Sequence, residues 1–115
     1  MLACYGVQPD DLTEVAGMML KLGASREQMS EAWDTLAGWN GGVTYTSFYD
    51  RMSLVFIGRA ESAREFFNTI DHEIDHVQDH IAQYYGVMLG TEEAAYLQGY
   101  IGGRLWEFVN TRLLT

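Results

Sequence analysis

The stretch from residue 62 to 85 constrains the fold of this chain most, because it is patterned as one long amphipathic helix. Apolar side chains recur there at intervals of three or four residues, which places them on one helical face. These residues are Ala63, Phe67, Ile70, Ile74, Val77, Ile81 and Tyr84. Ser62 followed by Glu65 predicts a capping box at the start of the helix. We therefore expect other parts of the chain to pack against this apolar stripe.

The same segment contains the motif His72-Glu73-Ile74-Asp75-His76, in which two histidines are four residues apart. On a helix this spacing puts both imidazoles on one face, where they can bind the same metal ion. At about 100° per residue, that face points away from the apolar stripe, so neither histidine is predicted to be a core residue. Glu73 is predicted to hold a water molecule beside a zinc ion and to accept its proton.

The third histidine, His80, continues the four-residue spacing. It lies about 12 Å along the axis from His72 at 1.5 Å per residue, so a straight helix cannot bring all three histidines to one ion. His76 and His80 form an alternative pair, but Glu73 would then lose its position as the base. We therefore predict His72 and His76 as the zinc ligands, and His80 as a residue that lines the cleft or supports a ligand.

A third protein ligand is expected on the last helix, since catalytic zinc normally has three protein ligands and a water molecule. Thr91 can cap this helix, which runs to about Leu113, and Glu92 and Glu93 stand at its start. Glu92 shares a face with small residues that would let the histidine-bearing helix approach closely, whereas Glu93 lies about 100° away. The small residues are Ala95, Gly99 and Gly103. We predict Glu92 as the third ligand and keep Glu93 as the alternative; both could instead only complement the helix N-terminus.

A helical hairpin is predicted for the first forty residues. Its first helix covers about residues 9 to 22 and begins with acidic residues, which suit a helix N-terminus. Ser25 and Gln28 have the spacing of a capping box, which begins a second helix that ends near Gly38. No unusual polar residue lies on the apolar face of either helix, so we assign both helices to packing.

A β-hairpin is predicted over residues 43–58, where the pattern changes from helical to extended. Val43–Thr46 and Met52–Ile57 are rich in β-branched and aromatic residues, and residues 47–51 would form the turn between them. The second strand is apolar without alternation, so we expect it to be covered on both faces. The small sheet either backs the helices or also offers an edge that pairs with an extended substrate backbone.

Length and composition predict one α+β domain over residues 1–115, with a helical hairpin (1–40), the β-hairpin and two metal-binding helices (62–115). The net charge of −9 disfavours binding to nucleic acid or to an anionic membrane surface. A polypeptide substrate or protein partner is the remaining expectation, with the oligomeric state open. The single cysteine, Cys4, excludes an internal disulfide. The chain shows neither a signal peptide nor an apolar run near the roughly 20 residues that span a bilayer, so a cytoplasmic location is expected.

The order of a hairpin, a His-Glu-x-x-His helix, a short loop and a glutamate on the next helix resembles a minimal zincin metallopeptidase of the gluzincin type. The segment Glu92-Glu93-Ala94-Ala95-Tyr96-Leu97 resembles the pattern that supplies the third ligand in small zinc peptidases of phages and mobile elements, including the ImmA-type enzymes. The resemblance implies a zinc-dependent peptidase with Zn²⁺ on His72, His76 and Glu92 and with Glu73 as general base. The alternative function is a non-enzymatic, zinc-stabilised module that binds a host or partner protein.

Overall fold

The computed structural model describes residues 2–38 and 41–114. These residues form a small α+β domain with four α-helices and a three-stranded sheet, which confirms the predicted fold class. The elements are β1 (Leu2–Gly6), α1 (Leu12–Lys21), α2 (Arg26–Ala37), β2 (Gly42–Ser47), β3 (Met52–Ile57), α3 (Ala63–Tyr85) and α4 (Glu92–Leu114). A short 3₁₀ turn at Pro9–Asp11 precedes α1, so the first α-helix begins later than predicted.

The sheet has the strand order β1-β3-β2. The β2–β3 pair is antiparallel, with Ser47 opposite Met52, and confirms the predicted β-hairpin. β1 was not predicted, because the first forty residues were assigned to helices alone. This strand is only five residues long and pairs in parallel with β3, beginning at Leu2 opposite Ser53. Its partner is distant along the chain, so no local pattern indicates the strand.

β3 is the central strand, and its side chains are buried on both faces, as its unbroken apolar run predicted. Leu54 and Phe56 belong to a core cluster formed with α1 and α2. Val55 and Ile57 belong to a second core cluster formed with α3 and α4. The sheet is therefore the middle layer between two helical pairs, and α2 and α3 lie on opposite faces of it.

The predicted capping residues begin α2 and α3. At α2 the box is complete: Gln28 N–H donates to Ser25 Oγ over 3.1 Å, and Ser25 N–H donates to Gln28 Oε1 over 2.8 Å. At α3 the Glu65 N–H donates to Ser62 Oγ, but the Glu65 carboxylate accepts from Glu61 N–H instead. The bond from Glu65 N–H to Ser62 Oγ satisfies a main-chain donor in the first turn of α3.

The buried face of α3 differs in part from the predicted stripe. Ile70 and Val77 are buried as expected, but Phe67 is 51% exposed and Tyr84 is 44% exposed. Phe66 takes the place of Phe67 in the core, and Glu73 is also buried. The face is rotated because α3 contacts both α4 and β2, so the buried surface extends to the edge of the sheet.

α4 begins after Thr91, whose hydroxyl accepts a hydrogen bond from Ala94 N–H as predicted. The predicted contact between the small-residue stripe and α3 is wrong. A Cβ atom at Gly99 or Gly103 would meet nothing within 4 Å. Larger apolar residues form the contact instead, since they bury more surface. They are Ile101, Leu105 and Val109. None of the helices in the described ranges is long and apolar enough to cross a membrane.

Candidate functional site

The imidazoles of His72 and His76 converge on the exposed side of α3, away from the core, as predicted. Their Nε2 atoms are 3.1 Å apart, and their ring centroids are 4.7 Å apart. Two nitrogens bound to one tetrahedral zinc ion at about 2.0–2.1 Å lie roughly 3.3–3.4 Å from each other. The pair therefore fits a zinc ion with a shift of only a few tenths of an ångström, and the same distance allows a hydrogen bond between the rings without the metal.

Glu73 is buried, at 2% exposure, although it lies between the two exposed histidines of the motif. Thr44 Oγ1 donates a hydrogen bond to Glu73 Oε1 over 2.7 Å. The glutamate can lie this close to β2 because Gly42 has no side chain: a Cβ there would be 2.9 Å from Glu73 Cγ. β2 thus fixes the position of the carboxylate. This role of Gly42 was not predicted from the sequence, because it depends on a helix that is distant along the chain.

An open groove of about 410 Å³ contains His72, Glu73 and His76. Its walls are α3 and α2, and its floor is β2 from Gly42 to Thr46. α2 was predicted to serve packing alone, but four of its residues line the groove: Gln28, Glu31, Ala32 and Thr35. Their spacing of three and four residues marks one helical face, which is the signal that could have identified Glu31 as a residue of the site.

His80 also lines the groove, which agrees with its predicted place in the cleft. Its Nδ1 is 2.8 Å from Thr46 Oγ1, and that hydroxyl is 2.9 Å from Ser53 Oγ. Burial lowers the pKa of His80 below its ordinary value, and the nearby His76 lowers it further. The chain of hydroxyls holds the ring in one orientation, and the lowered pKa favours its neutral form.

Within the described parts of the chain, β3 is the one strand that pairs with β2, so the other edge of β2 is open. Residues 42–46 of β2 line the groove. Gly58 N–H donates to Gly41 O over 2.9 Å, so these two residues form a hydrogen-bonded antiparallel pair. Pairing alternates along such a ladder, so the main-chain groups of Gly42, Thr44 and Thr46 point away from β3. The groove is therefore bounded by main-chain donors and acceptors as well as by side chains.

The structure does not bring Glu92 to the histidine pair. Glu92 is exposed and lines a separate cavity together with Asp75 and Gln78. In this region α4 contacts α3 through Gln78, whose Nε2 donates to Ala94 O over 2.6 Å. Glu93 is exposed as well. Across residues 2–38 and 41–114, no three His, Cys, Asp or Glu side chains are arranged to hold a metal ion. The identity of the third ligand stays a prediction.

Comparisons with protein-family models, with curated proteins and with solved structures find no match to this chain. Its function is therefore inferred from the groove itself. The groove combines a pair of converging imidazoles, a buried carboxylate and a strand edge.

Proposed function

We propose that this chain is a zinc-dependent peptidase in which His72 and His76 bind the ion and Glu73 is the general base. The observation that carries this proposal is the 3.1 Å separation of the two Nε2 atoms beside a buried carboxylate in one groove. Structural zinc sites are usually closed by four protein ligands, several of them cysteines. The one cysteine, Cys4, lies on β1 and does not line this groove, so the donor set favours a catalytic site.

His72 and His76 would hold the zinc ion, which would supply Lewis acidity towards a peptide carbonyl and a water molecule. Glu73 accepts the proton of the attacking water, as a carboxylate within hydrogen-bond reach of it can do. Thr44 and Gly42 keep the carboxylate in place, because one donates a hydrogen bond to it and the other leaves room for it. This support limits the orientations of Glu73 and keeps it beside the imidazole pair.

The substrate that fits the groove is an extended polypeptide. An extended chain can add to the edge of β2 through the main-chain groups of Gly42, Thr44 and Thr46. β2 has six residues, so at about 3.4 Å per residue the edge is roughly 20 Å long. That length accommodates about six residues of substrate, with the scissile bond near the histidine pair. Main-chain pairing would bind many sequences, so specificity must come from side-chain pockets.

The third zinc ligand is proposed to be a glutamate. Glu92 is the residue that the sequence pattern favours, but it would have to leave its own cavity and reach around α3. Glu31 lines the groove from α2 and offers the same carboxylate chemistry on the histidine side of α3. Either glutamate would complete three protein ligands and leave a fourth position for water.

Replacing Glu73 with glutamine tests this function. The zinc-loaded wild-type protein should hydrolyse members of a peptide library, and Glu73→Gln should lower the rate by about 10²-fold or more. Zinc content should not change, since the histidines remain. Glu14→Gln, an exposed glutamate in the first turn of α1, is the matched control and should leave hydrolysis intact.

Zinc-loaded wild type that cleaves no peptide would overturn the peptidase proposal. If Glu73→Gln then also binds peptides or a partner protein as the wild type does, the chain acts as a zinc-stabilised binding module. The discriminating quantity is thus the effect of Glu73→Gln on turnover, measured beside its effect on binding.

A further inference from the structure

A second, smaller cavity adjoins the groove where α3 ends. Its volume is about 110 Å³, and Thr46 and Phe48 line both this cavity and the groove. The remaining walls come from the end of β2, from the β2–β3 turn, from β3 and from the last turns of α3. They are formed by Ser47, Arg51, Ser53, Ile81, Tyr84 and Tyr85. Most of the lining is apolar, in contrast to the polar groove beside it.

Aromatic rings surround the mouth of this cavity. Phe48 and Tyr84 stack with their centroids 5.8 Å apart and nearly parallel planes, and the edge of Phe48 also meets the His80 ring at 6.2 Å. The Arg51 guanidinium lies 6.0 Å from the Tyr84 ring. Phe48, Tyr84 and Tyr85 all keep more than a third of their surface exposed. Clustered exposed apolar surface of this kind marks a place where another molecule binds.

The cavity lies about three residues of extended chain from the histidine pair. Thr44 contacts Glu73, and the lining residues Thr46 and Ser47 are two and three residues further along β2, which is about 7–10 Å at 3.4 Å per residue. Along α3, Ile81 and Tyr85 follow His76 by five and nine residues, or about 8–13 Å at 1.5 Å per residue. The two paths agree on a distance near 10 Å.

The volume selects the kind of side chain that fits. A cavity of about 150 Å³ holds benzene, and this space of about 110 Å³ is smaller by roughly a quarter. It suits a branched or linear aliphatic group such as the side chain of valine, leucine or methionine. A basic side chain would lose its hydration among Ile81, Phe48 and Tyr84, and the charged residue on this wall, Arg51, carries the same sign.

We propose that this cavity is a specificity pocket that receives an aliphatic side chain of the peptide substrate, three residues from the bond that is cleaved. The inference rests on the peptidase function proposed above. Ile81 is the residue that determines the size of the pocket, because it lines this cavity and does not line the groove that contains the general base and the imidazole pair.

Changing the size of residue 81 tests this assignment. With a peptide library randomised at every position, the zinc-loaded wild type should prefer leucine, methionine or valine three residues from the cleavage point. Ile81→Ala enlarges the pocket and should shift that preference towards phenylalanine by roughly 10-fold or more in kcat/KM relative to leucine. Ile81→Phe fills the pocket and should shift it towards alanine and glycine. Preferences at other positions should not change.

Phe67→Ala is the control, since Phe67 is an exposed aromatic residue of α3 that does not line this cavity. Thermal unfolding of each variant distinguishes a changed pocket from a damaged fold, and Ile81→Phe keeps the test open if Ile81→Ala does not fold. Cleavage without a preference at this position, or with one that neither Ile81 variant changes, overturns the pocket and leaves the peptidase function standing. Absence of cleavage by the wild type overturns the peptidase function, and the pocket with it.

Discussion

Replacing Gly42 with alanine tests the contact that positions Glu73. The added Cβ would lie 2.9 Å from Glu73 Cγ and 3.0 Å from Phe56 O, both shorter than ordinary van der Waals contacts. Phe56 O belongs to the backbone of the central strand, so the glutamate must move and the backbone of residue 42 must shift as well. Overpacking of this kind costs about 1–3 kcal/mol. Loss of the Thr44 hydrogen bond to the buried carboxylate would bring the total to about 2–4 kcal/mol.

Urea unfolding of the metal-free protein measures this cost directly. Gly99→Ala is the matched control, because Gly99 lies inside α4 with nothing within 4 Å of an added Cβ. We expect Gly99→Ala to stabilise the protein by about 0.5–1 kcal/mol, as alanine does in an exposed helix interior. A Gly42→Ala variant as stable as the wild type, with unchanged peptide hydrolysis, would refute the role assigned to this contact.

Three further predictions concern the groove. Thr44→Val removes the donor to Glu73 while keeping the side-chain shape, and should lower the free energy of unfolding by about 1–3 kcal/mol in urea titrations. The pKa of His80 is lowered in the folded state, so the unfolded state binds protons first as the pH falls below about 6.5. Stability of the metal-free protein should therefore fall from pH 7 to pH 5, and His80→Gln should reduce that fall in thermal unfolding. Calorimetric zinc titrations of Glu92→Gln and Glu31→Gln should identify the third ligand as the glutamate whose loss weakens zinc binding at least tenfold. Zinc affinity equal to that of the wild type in both variants would exclude both glutamates.

Features set by neighbours within a few residues could be predicted from the sequence. The caps at Ser25 and Ser62, the β-hairpin and the extent of α3 all depend on local hydrogen bonds and on periodicity. The exposure of His72 and His76 followed from the same helical geometry. For these features the local pattern and the tertiary structure agree.

Features set by contacts between distant segments were missed. β1 is stabilised by its pairing with β3, and the burial of Glu73 depends on the bare backbone of Gly42. The orientation of α4 was missed for the same reason. The glycines suggested a close helical contact, but Ile101 and Leu105 bury more surface and turn the glycine face outwards. Glu92 consequently lies in its own cavity, and Glu31 enters the groove from a helix that had been assigned to packing.

The central claim is that His72 and His76 bind one zinc ion. Elemental analysis of the protein purified without chelator tests it most directly, with His72→Ala, His76→Ala and the control Glu14→Gln measured alongside. We expect one zinc per chain in the wild type and in Glu14→Gln, and none in either histidine variant. Wild-type protein without stoichiometric zinc, or a His72→Ala variant that retains it, would contradict the account.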